Sequence, residues 1–342
     1  MSTDRPAATL ADVARRAGVS LATASRVLNG SSSRPVREEL RERVQRTAAE
    51  LDYSPNAQAQ AMARGRTATL GLVVHDIADP YFSAIAAGVM EAAAERGVLV
   101  TVASTQRDPA GELHHVEQLR QIRAQAVVLA GSRLDDPDLL DRMRAGLGAF
   151  ARGGGRVACI GQDVLGVSTV VVENRLGAAA LAGALHQQGH REFAVLAGPD
   201  GHLTARDRTE GFCYGLSEHG AEPRPDNVLT CAFTREGGYE ATRRLLAAGS
   251  SEVDCLFAVN DVMALGALEA LREAGVRVPT DLALAGFDDI VPLRDVVPGL
   301  TTVRLPMAEM GAAAARLALD DENTHRTHVR GELVLRASTE RS

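Results

Sequence analysis

Three rhythms of apolar and polar positions succeed one another along this chain. Between residues 10 and 51 the apolar positions recur at helical spacing. Leu10, Val13, Ala14 and Ala17 form one stripe, Ala24, Val27 and Leu28 a second, and Leu40, Val44, Ala48 and Leu51 a third. Gly18 breaks the first helix where a tight turn needs a backbone angle that other residues reach only with strain. Val19 plugs that turn, and Ser20 is placed to cap the next helix by accepting a backbone N–H. The pattern predicts two short helices joined by a glycine turn and closed by a third over 37–51: a helix-turn-helix headpiece.

The second rhythm covers 53–64. Pro55 suits a first helical turn and the residues after it are helix formers, yet they offer little to bury. So short a helix is marginal alone. Two readings stand: a helix that pairs with its copy in a dimer and projects Met62 toward a minor-groove step, or a flexible linker.

From residue 67 short apolar strands alternate with helices, the rhythm of parallel α/β domains. Strands are expected at 70–74, 98–104, 126–129 and 157–160, then at 193–196, 228–230, 255–259 and 282–285. Helices are expected at 82–96, 178–188, 241–248 and 262–274. The fold class that follows is α/β, an all-α headpiece followed by a pair of doubly wound subdomains, with ligands beyond the carboxyl ends of the strands.

The polar face of the second helix carries Leu21, Ala22, Thr23, Ser25, Arg26 and Asn29. These side chains suit phosphates and base edges in a major groove, with Arg26 as the base reader, although a plain solvated face has the same composition. Thr9, Leu10 and Ser20, at the two helix starts, complete the candidate DNA contacts of the headpiece.

At the strand ends, Asp79, Tyr81 and Phe82 offer a carboxylate and aromatic rings suited to a sugar, while Tyr81 and Phe82 serve equally well as the staple and core of a helix start. Asn260 offers an amide, and Asp261 is placed to cap the following helix. Asp288 is a further carboxylate at a strand end.

Charge changes the picture only when the chain is divided. Residues 1–66 carry 11 Arg against 7 acidic residues, a surplus of four, which leaves −11 for the remainder of a chain with net charge −7. A basic head on an acidic body suits phosphate binding by the head alone. Every cation is an arginine; this favours bidentate guanine contacts, and genome composition explains it equally well.

The 342 residues, 45% of them apolar, suffice for one small and two larger cores. No run approaches the ~20 apolar residues of a membrane span, and the start MSTDRPAATL lacks the apolar stretch of a secretory signal, so a cytoplasmic protein is expected. Cys159, Cys213, Cys231 and Cys255 lack metal-like spacing and read as core thiols. No GxSxG elbow, glycine-rich phosphate loop or HExxH occurs, and adjoining His114 and His115 cannot share one helix face. No enzyme activity, cofactor or metal is expected.

The headpiece, the segment YSPNAQAQAMA, the strand GLVVHDIADPYF, and then HLTARDRTEGF, FAVNDVMALGALEAL, VPTDLALAGFDDI and PGLTTVRLP resemble the LacI/GalR family of bacterial transcription regulators nearly end to end. The resemblance implies a periplasmic-binding-protein-like body and a homodimer on a pseudo-palindromic operator of double-stranded DNA. Its small-molecule effector, a sugar or sugar derivative, would sit between the subdomains. It implies Arg208 as the effector-binding cation, with Arg206 second, and Phe233 as an aromatic wall; Asn56, Ala59 and Met62 fall on the DNA-contacting hinge helix. The corresponding domains are a headpiece at 1–53, a hinge at 54–66 and a body at 67–342. Within the body, one subdomain spans 67–163 plus 305–324 and the other 164–304 plus 325–342.

Three departures matter. Gly161-Gln162 stands where sugar-binding relatives often have an Asp-Arg pair, so one set of hydroxyl contacts is missing. Leu21 and Ala22 replace longer polar base readers, and Met62 stands where many relatives have Leu. No leucine heptad follows 332–338, so a dimer rather than a coiled-coil tetramer is expected. The competing reading is a solute-binding protein or sensor of the same fold without operator-specific regulation; it requires an export signal in place of the basic head.

Overall fold

Thr9 and Asp12 cap α1 (Leu10–Ala17) reciprocally: the Asp12 amide donates to the Thr9 hydroxyl at 3.3 Å, and the Asp12 carboxylate accepts the Thr9 amide at 3.1 Å. Gly18, at φ 64°, ends the helix in the left-handed conformation that glycine reaches without strain. The Ser20 hydroxyl accepts the Thr23 amide at 3.1 Å and so starts α2 (Leu21–Asn29). With α3 (Glu38–Glu50), these helices enclose Val13, Ala14, Ala17, Ala24, Val44 and Ala48, around which Leu10, Val19, Val27, Leu28 and Leu51 pack.

The computed structural model describes residues 8–29, 36–54, 65–249, 252–320 and 325–341. The chain divides into two units, Met1–Ala68 and Thr69–Ser342.

In the larger unit the first subdomain is built from β1 (Thr67–Val74), α4 (Pro80–Ala94), β2 (Leu99–Ser104), α5 (Pro109–Gln121), β3 (Ala124–Ala130), α6 (Pro137–Arg152), β4 (Arg156–Gly161) and β5 (Ser168–Val172). Its three helices begin alike. Asp79, Asp108 and Asp136 each precede a proline and accept an amide of the first turn, so the sequence itself fixes where each helix starts.

The second subdomain follows with α7 (Asn174–Gln187), β6 (Phe193–Gly198), α8 (Leu203–Ser217), β7 (Val228–Thr230), α9 (Arg235–Ala247), β8 (Cys255–Ala258), α10 (Asp261–Glu273) and β9 (Ala283–Ala285). The chain then runs through β10 (Thr302–Arg304), α11 (Met307–Leu319), β11 (Arg326–Val329) and β12 (Glu332–Val334).

The first sheet has the order β11-β5-β4-β3-β1-β2 and the second β7-β6-β8-β9, while β10 and β12 form a short antiparallel pair. Strand ends of both sheets meet at one cleft. The first sheet corrects the subdomain boundaries: residues 168–172 and 326–329, assigned from sequence to the second subdomain, belong to the first. β5 pairs in parallel with β4 as Ala158 with Ser168, burying Val170, and β11 then covers its free edge. The chain enters the second subdomain only after Val172.

Helix α11 returns to pack on α4, backbone against backbone. A Cβ placed on Gly88 would lie 1.8 Å from the Ala308 carbonyl oxygen, and one on Gly311 would lie 2.1 Å from that of Ile85. All four cysteines are free, Cys159 and Cys255 being buried. Among the described residues no helix is long and apolar enough to cross a membrane, and no three His, Cys, Asp or Glu gather as metal ligands would.

Candidate functional site

The headpiece presents one face of α2. Leu21 is 54% exposed and Ala22 is exposed, whereas Thr23, Ser25 and Arg26 are half-buried. The Ser20 and Thr23 hydroxyls lie 2.9 Å apart, so both are occupied by the cap. Thr9 is exposed and also engaged in its cap; its two bonds hold the Asp12 carboxyl below the usual carboxylate range. Leu10 packs half-buried against the headpiece core, as its place in the first apolar stripe implies. Asn29 ends α2. Its side chain, and Asn56, Ala59 and Met62, lie outside the described residues.

The cleft of the larger unit is lined by all seven residues expected there: Asp79, Tyr81, Phe82, Arg208, Phe233, Asn260 and Asp288. Its centre is Arg208, 3% exposed on α8. Its guanidinium donates to Asp288 at 2.7 Å, to the Asn174 side chain at 2.8 Å and to the Val259 carbonyl at 2.8 Å, and stacks 3.9 Å from the centre of the Phe287 ring. Burial pushes the Asp288 carboxyl up to about 6 against the pull of Arg208.

The remaining candidates divide between framework and lining. Asp79 accepts the Tyr81 amide at 3.0 Å with one oxygen and Arg107 at 3.3 Å with the other, so its carboxylate is already committed. Phe82 is 6% exposed and meets Tyr81 edge-on at 5.1 Å, so it is both core and wall. Phe233 stands against the His202 ring at 4.4 Å. Asn260, 2% exposed, accepts the Met263 amide at 2.8 Å and thereby caps α10. The capping role expected of Asp261 is therefore corrected. Asp261 points inward, accepting the Ile290 amide at 3.0 Å and the Thr302 hydroxyl at 2.8 Å, and burial with Asp288 nearby pushes its carboxyl up to about 7.

Sequence reasoning missed His75, Arg107, Ser132, Asn174, His202 and Thr204, which also line the cleft. His75 follows β1 and Asn174 follows β5, so the strand-end rule would have found both had 168–172 been read as a strand. Burial pushes His75 down to about 4 and His202 down to about 3, leaving both neutral at pH 7. Arg107 bridges the subdomains, donating to the Phe233 carbonyl at 3.0 Å while paired with Asp79. A second set of bonds joins 132–135 to 201–206. The Thr204 amide donates to the Ser132 hydroxyl at 3.0 Å, the Leu203 amide to the Arg133 carbonyl at 3.0 Å, and Arg206 to Asp135 at 2.6 Å.

Both units of the chain have known relatives. Residues 9–56 match bacterial regulatory proteins of the lacI family, and residues 182–339 match the periplasmic binding protein-like domain. The chain is 35% identical to the HTH-type transcriptional regulator GalR of Escherichia coli (strain K12), covering 91% of this chain and 88% of that one. Among solved structures it is similar to a transcriptional regulator CelR–cellobiose complex (32% identity, TM-score 0.70, 98% and 100% covered). It is also similar to the lac repressor dimer bound to operator and the anti-inducer ONPF (26%, TM-score 0.82, 97% and 99% covered). These relatives are regulators and not enzymes. With a GalR homologue matched over nine-tenths of its length, the chain belongs to the LacI family of bacterial regulatory proteins, effector-regulated transcription factors that bind DNA through a helix-turn-helix.

Proposed function

We propose that this chain is a cytoplasmic repressor, acting as a homodimer whose two headpieces occupy a pseudo-palindromic operator. A carbohydrate effector in the cleft would set its affinity. The observation that carries the reading is the exposed start of α2: Leu21, more than half exposed, has no packing role in the headpiece, and it adjoins Ala22 and Arg26 on one face. Apolar contacts from Leu21 and Ala22 suit thymine methyls, and Arg26 suits a guanine edge. Asn56, Ala59 and Met62 would contact the operator centre from the hinge. Arg208, Asp288, Asn260, Phe233, Tyr81, Phe82 and Asp79 supply the polar and aromatic lining that a sugar uses. An effector that prefers one angle between the subdomains alters DNA affinity by its differential binding to the two states, a coupling of about 1–3 kcal/mol.

The test is selection of DNA from a random library by the full-length protein, followed by fluorescence anisotropy on the enriched site. Enrichment of an inverted repeat, with Arg26→Ala losing the preference while nonspecific binding persists, is the expected result. No enriched repeat, or an unchanged preference in Arg26→Ala, would refute the assignment of base reading to α2.

A further inference from the structure

Asp288 and its neighbour Asp289 are both buried, and their φ angles of 123° and 56° both lie in the left-handed region that glycine favours. Such a pair persists only where the surroundings over-determine it. Here the bonds come from both sides. Asp288 faces the cleft, where it holds Arg208, while its amide donates to the Val303 carbonyl at 2.8 Å and its carbonyl accepts the Leu305 amide at 3.1 Å. Asp289 lines no part of the cleft, and one of its carboxylate oxygens accepts Nε of Arg304 at 2.7 Å. Nη2 of Arg336 comes within 2.8 Å of the other oxygen, near enough for an ion pair but off the direction of a hydrogen bond.

These contacts fall where the chain crosses between the subdomains. Among the described residues it crosses at three places: from β5 to α7, from β10 to α11, and from β11 to β12. Asn174, which accepts Nε of Arg208, opens α7 just past the first crossing. Arg304 and Leu305 stand at the second, and Arg336 follows β12 just past the third. Arg208 thus meets the first crossing directly and the other two through residues 288 and 289. A ligand that hydrogen-bonds to Arg208 and Asp288 must share or break their ion pair. Loosening one side of a strained backbone lets it relax, and the Asp289 carboxylate moves with it.

We propose that Asp289 is the positioning residue through which cleft occupancy changes DNA affinity. It passes the state of the Asp288–Arg208 pair to Arg304 and Arg336, and so to two of the three crossings that set the angle between subdomains. This rests on the reading of the cleft as an effector site that controls operator binding.

The test is a double-mutant cycle on the full-length protein. Arg208→Lys stands in for an occupied cleft, because lysine keeps the charge but lacks the planar fork that holds Asp288, Asn174 and the Val259 carbonyl together. On the site enriched from random DNA, Arg208→Lys should change the operator Kd about fivefold or more, and in an Asp289→Asn background by less than about twofold. Asparagine tolerates a φ of 56°, so this variant removes the charge and keeps the turn. Arg304 lies at the surface, so Arg304→Gln removes the directed bond with little burden on the fold and should blunt the response in the same way. Gly215→Ala is the stability control. Its added Cβ would lie 2.5 Å from the Ala179 carbonyl oxygen in the α7–α8 contact, so it should destabilise and yet leave the full response to Arg208→Lys.

Hydrogen exchange on the free proteins reads the same cycle without DNA. Arg208→Lys should speed exchange at the Leu305 and Arg336 amides, and should add nothing once Asp289→Asn is present. Equal responses in the two backgrounds, or no response to Arg208→Lys in either, would overturn the role of Asp289. A non-additive exchange cycle in a protein that enriches no DNA site would sink the operator reading alone and still support Asp289 as the tie between cleft and crossings.

Discussion

The Gln162 side-chain amide donates to the Thr204 hydroxyl at 2.8 Å, fastening the end of β4 to the first turn of α8 across the cleft. Its carbonyl oxygen accepts the Arg133 amide at 3.1 Å. Where the sequence suggested a lost sugar contact at Gly161-Gln162, the structure gives Gln162 another task, as part of the clasp between subdomains.

Gln162→Ala should remove both bonds at a cost of about 1–2 kcal/mol, lowering the melting temperature by about 2–4 °C per kcal/mol for a domain of this size. Differential scanning calorimetry reads the shift. An unchanged melting temperature would mean that the clasp contributes nothing to stability.

Arg208 sits at the centre of a buried network, so its removal strands partners as well as losing bonds. Arg208→Ala leaves the Asp288 carboxylate and the Asn174 side chain without their cation and should cost about 3–5 kcal/mol in urea unfolding. The double variant Arg208→Ala/Asp288→Ala should cost much less than the sum of the single ones, because the second change removes the stranded charge. Additive costs would show that the two residues do not act as a pair.

Acid stability turns on buried groups of opposite sign. His75 and His202 bind fewer protons folded than unfolded, so the stability they leave intact above their ordinary value of 6.5 is lost as pH falls toward about 4 and about 3. Asp261 acts in reverse. Its folded value of about 7 lies above the ordinary 3.8, so it favours the fold at acid pH and loses that contribution as pH rises from about 4 to 7. The melting temperature of His202→Gln should therefore fall less between pH 6.5 and 4 than that of the parent. Parallel melting curves for the two proteins over that range would exclude His202 as a source of acid sensitivity.

The α4–α11 contact admits no side chain at Gly88, where an added methyl meets the Ala308 backbone. Gly88→Ala should destabilise by about 1–3 kcal/mol or more through forced backbone shifts. Gly148, inside α6, has only the flexible Arg152 tip near its Cβ position, at 3.3 Å, so Gly148→Ala should gain up to about 1 kcal/mol of helix propensity. Thermal melts of the two variants should move in opposite directions; a shift of the same sign would contradict the packing seen at one of them.

Local chemistry alone determined much of this protein. Gly18 and Ser20 set the turn of the headpiece, the Asp-Pro pairs at 79–80, 108–109 and 136–137 set three helix starts, and apolar spacing marked the stripe of the headpiece core. Those signals act within about four residues of one another, within reach of a linear reading, although apolar spacing alone marked no helix at 109–121 or 137–152. Tertiary structure decided the rest. The bonds that make the cleft join residues 34, 80 and 126 positions apart: Asn174 to Arg208, Arg208 to Asp288, and Arg107 to Phe233. Nothing local distinguishes Asn260 from Asp261 as the helix cap, because both side chains can accept an N–H; the choice falls on Asn260 once Ile290 and Thr302 claim Asp261 from a distant strand and loop. The strand at 168–172 belongs to the first sheet because β4 and β11 supply its two edges, and those partners are known only when the chain has folded.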